Sequence, residues 1–272
     1  MTAAAKKAQG LLFDIVRDVA GAGLRPGDRL PSQAEMMHRY GAGATPLREA
    51  LRMLELAGLV SVRPGPAAGA MLEEASAEHL SALVAAFLCL AGVTYADLLE
   101  AWAATEPLLA AAAAANPDRA RVIAELSAFG AEAQSDEPVS PTHAIDFHDA
   151  VARAAGNPAL RLVAQVLSYV VADLYWASTD AVLPGGMVRH DHHDIAEAIL
   201  AGDAEGARSA MAAHARNTSG GILARIGHRA DERFILPPMR VGSAPYRQRP
   251  LRRAGDYAGS GYAASGANGS AK

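Results

Sequence analysis

Six of the nine histidines crowd into one stretch: His143, His148, His190, His192, His193 and His214. Neutral imidazoles on rigid helices suit Zn²⁺, Ni²⁺ or a similar transition metal better than Mg²⁺ or Ca²⁺, which prefer oxygen ligands. Helix geometry tests whether they can meet. If Gly202-Asp203 is the turn of a helical hairpin, His192 lies ten residues before Gly202 and His214 eleven after Asp203. At about 1.5 Å per residue both sit roughly 15 Å from the turn, at one level of a bundle. His148, eight residues before Gly156, lies about 12 Å from its own turn, a compatible depth. The competing reading makes each histidine a polar surface residue, and it is preferred for His143, His190 and His193.

Helices must carry these residues, and the composition favours them. Apolar residues make up 51% of the chain and aromatics only 5%, with alanine and leucine prominent. From Ser76 to about Gly227 the pattern is helical. It breaks at Asn116-Pro117-Asp118, Glu137 to Pro141, Gly156-Asn157-Pro158, Pro184-Gly185-Gly186 and Gly202-Asp203. Six or seven helices follow, hence an antiparallel all-α bundle, a fold that builds ligand and metal sites between facing helices.

The first 75 residues read differently. Leu11, Leu12, Ile15, Val16 and Val19 form one helix face, stopped by Gly21, Gly23 and Pro26-Gly27. Ser32 and Glu35 form a capping box that starts a short helix at Gln33, ending near Tyr40. Gly41-Ala42-Gly43 is a tight turn, after which Thr45 is the expected N-cap and Pro46 the first residue of a third helix. In that helix Leu47, Ala50, Leu51 and Leu54 make a buried stripe with Arg48 and Arg52 off it, and Gly58 ends it. Leu59 to Val62 and Gly69 to Leu72 read as a β-hairpin. This order is that of a winged helix-turn-helix, whose third helix enters the major groove by its N-terminal end. Thr45, Pro46 and Arg48 are then expected at base edges and phosphates, Arg39 and Arg52 at the backbone, and Arg63 on the wing.

Charge agrees with that division. The net charge is −4, but residues 1–75 carry nine Lys/Arg against eight Asp/Glu, residues 76–234 ten against twenty, and residues 235–272 six against one. The acidic middle repels phosphates, so double-stranded DNA is expected to meet the ends. The sequence thus divides into a DNA-binding domain at 1–75, a helical effector-binding and dimerisation domain at 76–234, and a basic, Gly/Ser/Ala-rich tail at 235–272 that is expected to be disordered. Cys89 sits in an apolar run as a small buried hydrophobe, and with one cysteine there is no disulfide framework. No signal-peptide core or membrane-spanning stretch is visible, which predicts a cytoplasmic protein without a membrane partner.

Leu24 to Ser32, Thr45 to Leu51 and Gly58-Leu59-Val60 resemble the DNA-binding signature of the GntR family of transcriptional regulators. Phe147-His148, with Ala154 to Pro158, His192-x-x-Ile195-x-x-Ala198-Ile199-x-x-Gly202-Asp203 and Met211-x-x-His214 resemble the FCD effector domain of its FadR-like branch, over residues 80 to 226. The resemblance implies a homodimer on operator DNA, a small-molecule effector, and a metal held by His148, His192 and His214. It also implies an aspartate four residues before the first histidine, an effector-gripping arginine in the first long helix, and basic residues at two DNA-contacting positions. This chain has Ala144, Trp102, Ala34 and Ala44 there. An aromatic wall of Trp102, Tyr169 and Tyr175 in place of the arginine points to a less anionic or larger effector.

The expectation is therefore a ligand-responsive transcriptional regulator, not an enzyme. Whether it represses or activates is left open, although repression is the working assumption. Two alternatives stand beside it. One is a regulator whose effector domain has decayed into a dimerisation module. The other is a metal-dependent hydrolase built on His190-Asp191-His192-His193-Asp194, which lacks a placed general base and leaves residues 1–75 unexplained.

Overall fold

The computed structural model describes residues 2–63, 69–75, 77–130, 141–178, 185–226 and 230–236. The expectations for the hairpin tip and for the tail beyond residue 236 lie outside them.

The first helix, α1 (Ala3–Gly21), begins earlier than its apolar stripe, with Thr2 Oγ1 accepting the Ala5 N–H at 3.3 Å. The expected capping box opens α2 (Gln33–Tyr40): Ser32 Oγ accepts the Glu35 N–H at 3.3 Å and Glu35 Oε2 accepts the Ser32 N–H at 2.7 Å. Those bonds from Ser32 pull the Glu35 carboxyl below its ordinary pKa. Gly41, at φ 55, turns the chain toward α3 (Ala44–Leu56).

Here the structure corrects the expected cap. Gly43 is the N-cap, and Thr45 and Pro46 lie inside the first turn. N–H groups of a first turn have no partner within the helix, so a proline at 46 forfeits no bond. Thr45 stays exposed instead of capping. Leu47, Ala50, Leu51 and Leu54 are buried with Leu11, Ile15, Leu30 and Met36, as the stripe required.

Strands β1 (Val60–Arg63) and β2 (Gly69–Leu72) pair antiparallel, Val60 opposite Leu72 and Arg63 opposite Gly69. Residues 28–30 add a third edge: Leu72 N–H donates to the Asp28 carbonyl at 2.8 Å and Leu30 N–H to the Ala70 carbonyl at 2.9 Å. The head is therefore a helix-turn-helix with a small wing.

Seven helices follow among the described residues: α4 (Ala77–Ala91), α5 (Tyr95–Ala114), α6 (Arg119–Gly130), α7 (Pro141–Ala154), α8 (Pro158–Ser178), α9 (Gly185–Ala201) and α10 (Ala204–Ile226). Their ends fall at the breaks read from the sequence. In the bundle α5 packs along α10, α9 lies between α6 and α10, and α8 between α4 and α7. Two corners fix the helices that carry the histidines. Asn116 Nδ2 donates to the Ala154 carbonyl at 2.6 Å, passing so close to Gly156 (φ 76) that a Cβ there would meet the amide at 2.8 Å. The Arg119 guanidinium donates to the carbonyls of Ile199 and Leu200 at 3.1 and 2.6 Å, closing the C-terminal end of α9.

Phe234, which ends the domain as read from the sequence, is buried edge-on against Tyr95 with ring centroids 5.8 Å apart. Cys89 lies half-buried at the edge of the same cluster, less enclosed than expected. Among the described residues no helix is long and apolar enough to cross a membrane.

Candidate metal centre and DNA-binding face

His148 on α7, His192 on α9 and His214 on α10 meet in the bundle interior. All three are buried, and one ring nitrogen from each lies within 4.8 Å of the others. Rotamer adjustments of under about 1 Å would bring such a set within reach of one ion at Zn–N distances of about 2.0–2.1 Å. His192 is stacked on Phe147, with centroids 3.9 Å apart and planes 13° from parallel, which fixes its ring. The equal-depth argument from the two turns thus picks out the three that converge.

Two carboxylates stand behind this cluster. Glu106 Oε2 lies 2.8 Å from His148 Nδ1, and Asp191 Oδ2 lies 3.1 Å from His214 Nδ1. A carboxylate accepting from Nδ1–H leaves Nε2 as a lone-pair donor, the arrangement that prepares histidine for a metal. The donor set therefore fits a transition metal: imidazoles in front, carboxylates behind. Neither carboxylate was picked out as a ligand support from the sequence. Glu106 precedes Pro107 in an otherwise apolar helix, a placement that could have marked it, but its partner lies 42 residues away. Asp146, two residues before His148, is exposed, as its angle round the helix required.

Burial holds the His214 pKa below the ordinary histidine value; the Asp191 hydrogen bond opposes that shift, and a charge on His148 would add to it. Because the folded state resists protonation, this contribution to stability is complete above the unfolded value of about 6.5 and is lost as pH falls below it. Thermal melts of chelator-treated protein should therefore decline from about pH 7 to pH 5.5. The decline should be shallower in His214→Gln; an equal slope would contradict the assignment.

Beside the histidines a cleft is lined by Glu106, Ile145, His148, Asp149, Gln165, Ser168 and Tyr169 among others. Its cavity volume is about 10 Å³, space for roughly one water. Tyr169 is on its wall, its pKa pushed up to about 12 by burial and by nearby acidic charges, chiefly Asp149. Trp102 is buried with its ring 5.5 Å from that of His148, edge to face. The side chains of Tyr175 and His143 lie outside the described residues. His190 is exposed and pairs with Asp194 at 3.6 Å, while His193 is half-buried. The His-Asp-His-His-Asp run is thus spread round α9, and among its histidines His192 alone belongs to the cluster.

On the head, Thr45, Arg48, Arg52 and Arg63 are exposed and Pro46 is half-buried. Arg39 is exposed too, but its Nε is 2.9 Å from Asp18 Oδ2, which also accepts from the Tyr40 hydroxyl at 2.9 Å. That side chain clamps α2 to α1. Ala34 and Ala44, at the starts of α2 and α3, are exposed.

Comparison with known proteins agrees with both halves of this description. The model of the gntR family of bacterial regulatory proteins matches residues 9–69, and that of the FCD domain matches residues 95–217. The Uxu operon transcriptional regulator of Escherichia coli K12 is 30% identical over 207 residues, 73% of this chain and 79% of its own length. The chain belongs to the GntR family. As a GntR protein with an FCD domain, it is a DNA-binding transcriptional regulator. The transcriptional repressor NanR of Enterobacter sp. strain 638 is 25% identical over 71% of this chain and 76% of its own length. A Streptococcus agalactiae GntR structure shares the fold with a TM-score of 0.56 at 19% identity, covering 78% of this chain and 99% of that one. The FCD match takes in all three clustered histidines and Glu106. The families matched are those of regulators rather than enzymes, which removes support for the hydrolase alternative.

Proposed function

We propose that this GntR protein is a cytoplasmic, homodimeric repressor in which His148, His192 and His214 hold a divalent transition metal, Zn²⁺ or Ni²⁺, and an effector binds beside it against Trp102, Tyr169 and Tyr175. The reading is carried by the convergence of three buried histidines, two backed by carboxylates, in the FCD domain of a DNA-binding regulator. The ion, when bound, supplies a Lewis-acidic point for an oxygen or nitrogen of the effector. Trp102 in the wall, where the family resemblance leads one to expect arginine, favours an effector that is not a small dicarboxylate.

A dimer is supported by α4. Leu80, Leu83, Phe87 and Leu90 repeat at spacings of three, four and three, and Phe87 and Leu90 are 73% and 89% exposed. That is a seam a second copy of the helix would cover. Two heads would then read a two-fold operator, and an effector would act by shifting their relative placement.

A second reading, an FCD domain that only dimerises, has one observation in its favour: the cleft volume of about 10 Å³. Metal analysis of purified protein, with operator binding measured on DNA selected from a random pool with and without a metabolite panel, separates the two. Stoichiometric metal and a metabolite that changes operator affinity are expected. Metal-free protein whose DNA binding ignores every metabolite would favour the dimerisation module.

A further inference from the structure

A chain of hydrogen bonds leads from the back of the histidine cluster to the cleft wall. The Trp102 indole N–H donates to Ser168 Oγ at 3.2 Å, the Ser168 hydroxyl donates to Glu106 Oε1 at 3.0 Å, and Glu106 Oε2 meets His148 Nδ1 at 2.8 Å. Both oxygens of Glu106 are thereby engaged, and its side chain is 0% exposed. Water does not screen it. A carboxylate so enclosed needs a compensating positive charge, and the ion pair it makes is with His148, a ring whose own charge is conditional.

The surroundings indicate where that charge comes from. On α7 the residue one turn before His148 is Ala144, so that face of the helix offers no carboxylate to the cluster, and Asp146 is exposed. The three ring nitrogens are all neutral donors. A divalent ion among them would find its balancing charge in two carboxylates behind the rings, Glu106 and Asp191. Asp191 is 28% exposed and shares its charge with water, whereas Glu106 does not.

We propose that Glu106 is a positioning residue of the metal centre, supplying from behind His148 the negative charge that α7 does not supply from the front, with Ser168 and Trp102 fixing its carboxylate. This rests on the reading of the three histidines as metal ligands. It also gives Trp102 a task beyond forming a wall: its indole N–H is the far end of the chain that orients a ligand histidine, so a molecule pressing on Trp102 from the cleft would act on the metal centre.

The test measures Zn²⁺ affinity of the full chain by competition with a chromophoric chelator, together with the visible absorption of Co²⁺-substituted protein. Glu106→Gln keeps the shape and removes the charge. It should weaken Zn²⁺ binding by about 10–100-fold and move the Co²⁺ bands. Adding Ala144→Asp to that variant should restore most of the affinity, which a purely structural role for Glu106 does not predict. Trp102→Phe and Ser168→Ala should each weaken binding by a smaller factor, and Gln165→Ala, on the same cleft but outside the chain of bonds, should not. Wild-type affinity in Glu106→Gln, or no recovery with Ala144→Asp, overturns the proposal. If Glu106→Gln fails to fold, wild-type affinity in both Trp102→Phe and Ser168→Ala overturns it. Failure of the unaltered protein to bind Zn²⁺ or Ni²⁺ would instead sink the metal reading itself.

Discussion

Protein carrying His192→Ala should purify without stoichiometric transition metal and should melt at the same temperature with and without chelator. His192 is the most enclosed of the three ring ligands, at 2% exposure, and its neighbours offer no substitute nitrogen: His190 is paired with Asp194 on the outside of α9. Two remaining imidazoles do not complete a site that needs at least three protein ligands. The unaltered protein should behave differently. With free ion at about 100 times its dissociation constant, binding stabilises the native state by about 2.7 kcal/mol. For a domain of this size that corresponds to roughly 5–10 °C in Tm, which chelation should remove. Comparing each variant with itself, with and without chelator, matters because His192→Ala also deletes a ring stacked on Phe147 and so lowers stability whatever the ion does. His190→Ala is the control and should keep both the metal and the chelator effect. Retention of stoichiometric metal by His192→Ala would refute the ligand assignment.

The levels of the histidines were legible because a helix converts residue number into distance, and Gly156 and Gly202 mark the turns from which to count. Their φ values of 76 and 78 are what glycine permits at a helix end. Stripe, capping box and wing were legible for the same reason, since each is set by residues within a few positions of one another. What the sequence did not disclose is long-range or one-residue detail. Glu106 reaches His148 across 42 positions, Ser168 reaches Glu106 across 62, and no local pattern encodes such pairs. The start of α3 moved from Thr45 to Gly43 because a proline is tolerated anywhere in the first turn, so Thr-Pro does not fix which residue is the cap. The place of Arg39 likewise depended on Asp18, one helix away.

That last contrast sets the second large expectation, on the head. Arg48→Ala should reduce affinity for a selected operator by about 1–3 kcal/mol, five- to more than a hundredfold, and relax preference at one base position. Arg48 stands exposed in the first turns of α3, the end that a winged helix presents to the major groove. Arg52, one turn further from that end, should instead meet phosphate. Arg52→Ala should weaken binding to all sequences alike and reduce the slope of log affinity against log salt by about one. Arg39→Ala should act through the protein as well as the DNA. Its guanidinium joins Asp18, which Tyr40 also holds, so the variant should lower thermal stability, whereas Arg48→Ala should not. Anisotropy titrations at several salt concentrations on selected and scrambled duplexes distinguish the three. Equal losses on both duplexes for Arg48→Ala would reassign it to the backbone. With Ala34 and Ala44 exposed at the two helix starts that face DNA, base discrimination by this head would then have to come from Thr45 or from the shape of the operator itself.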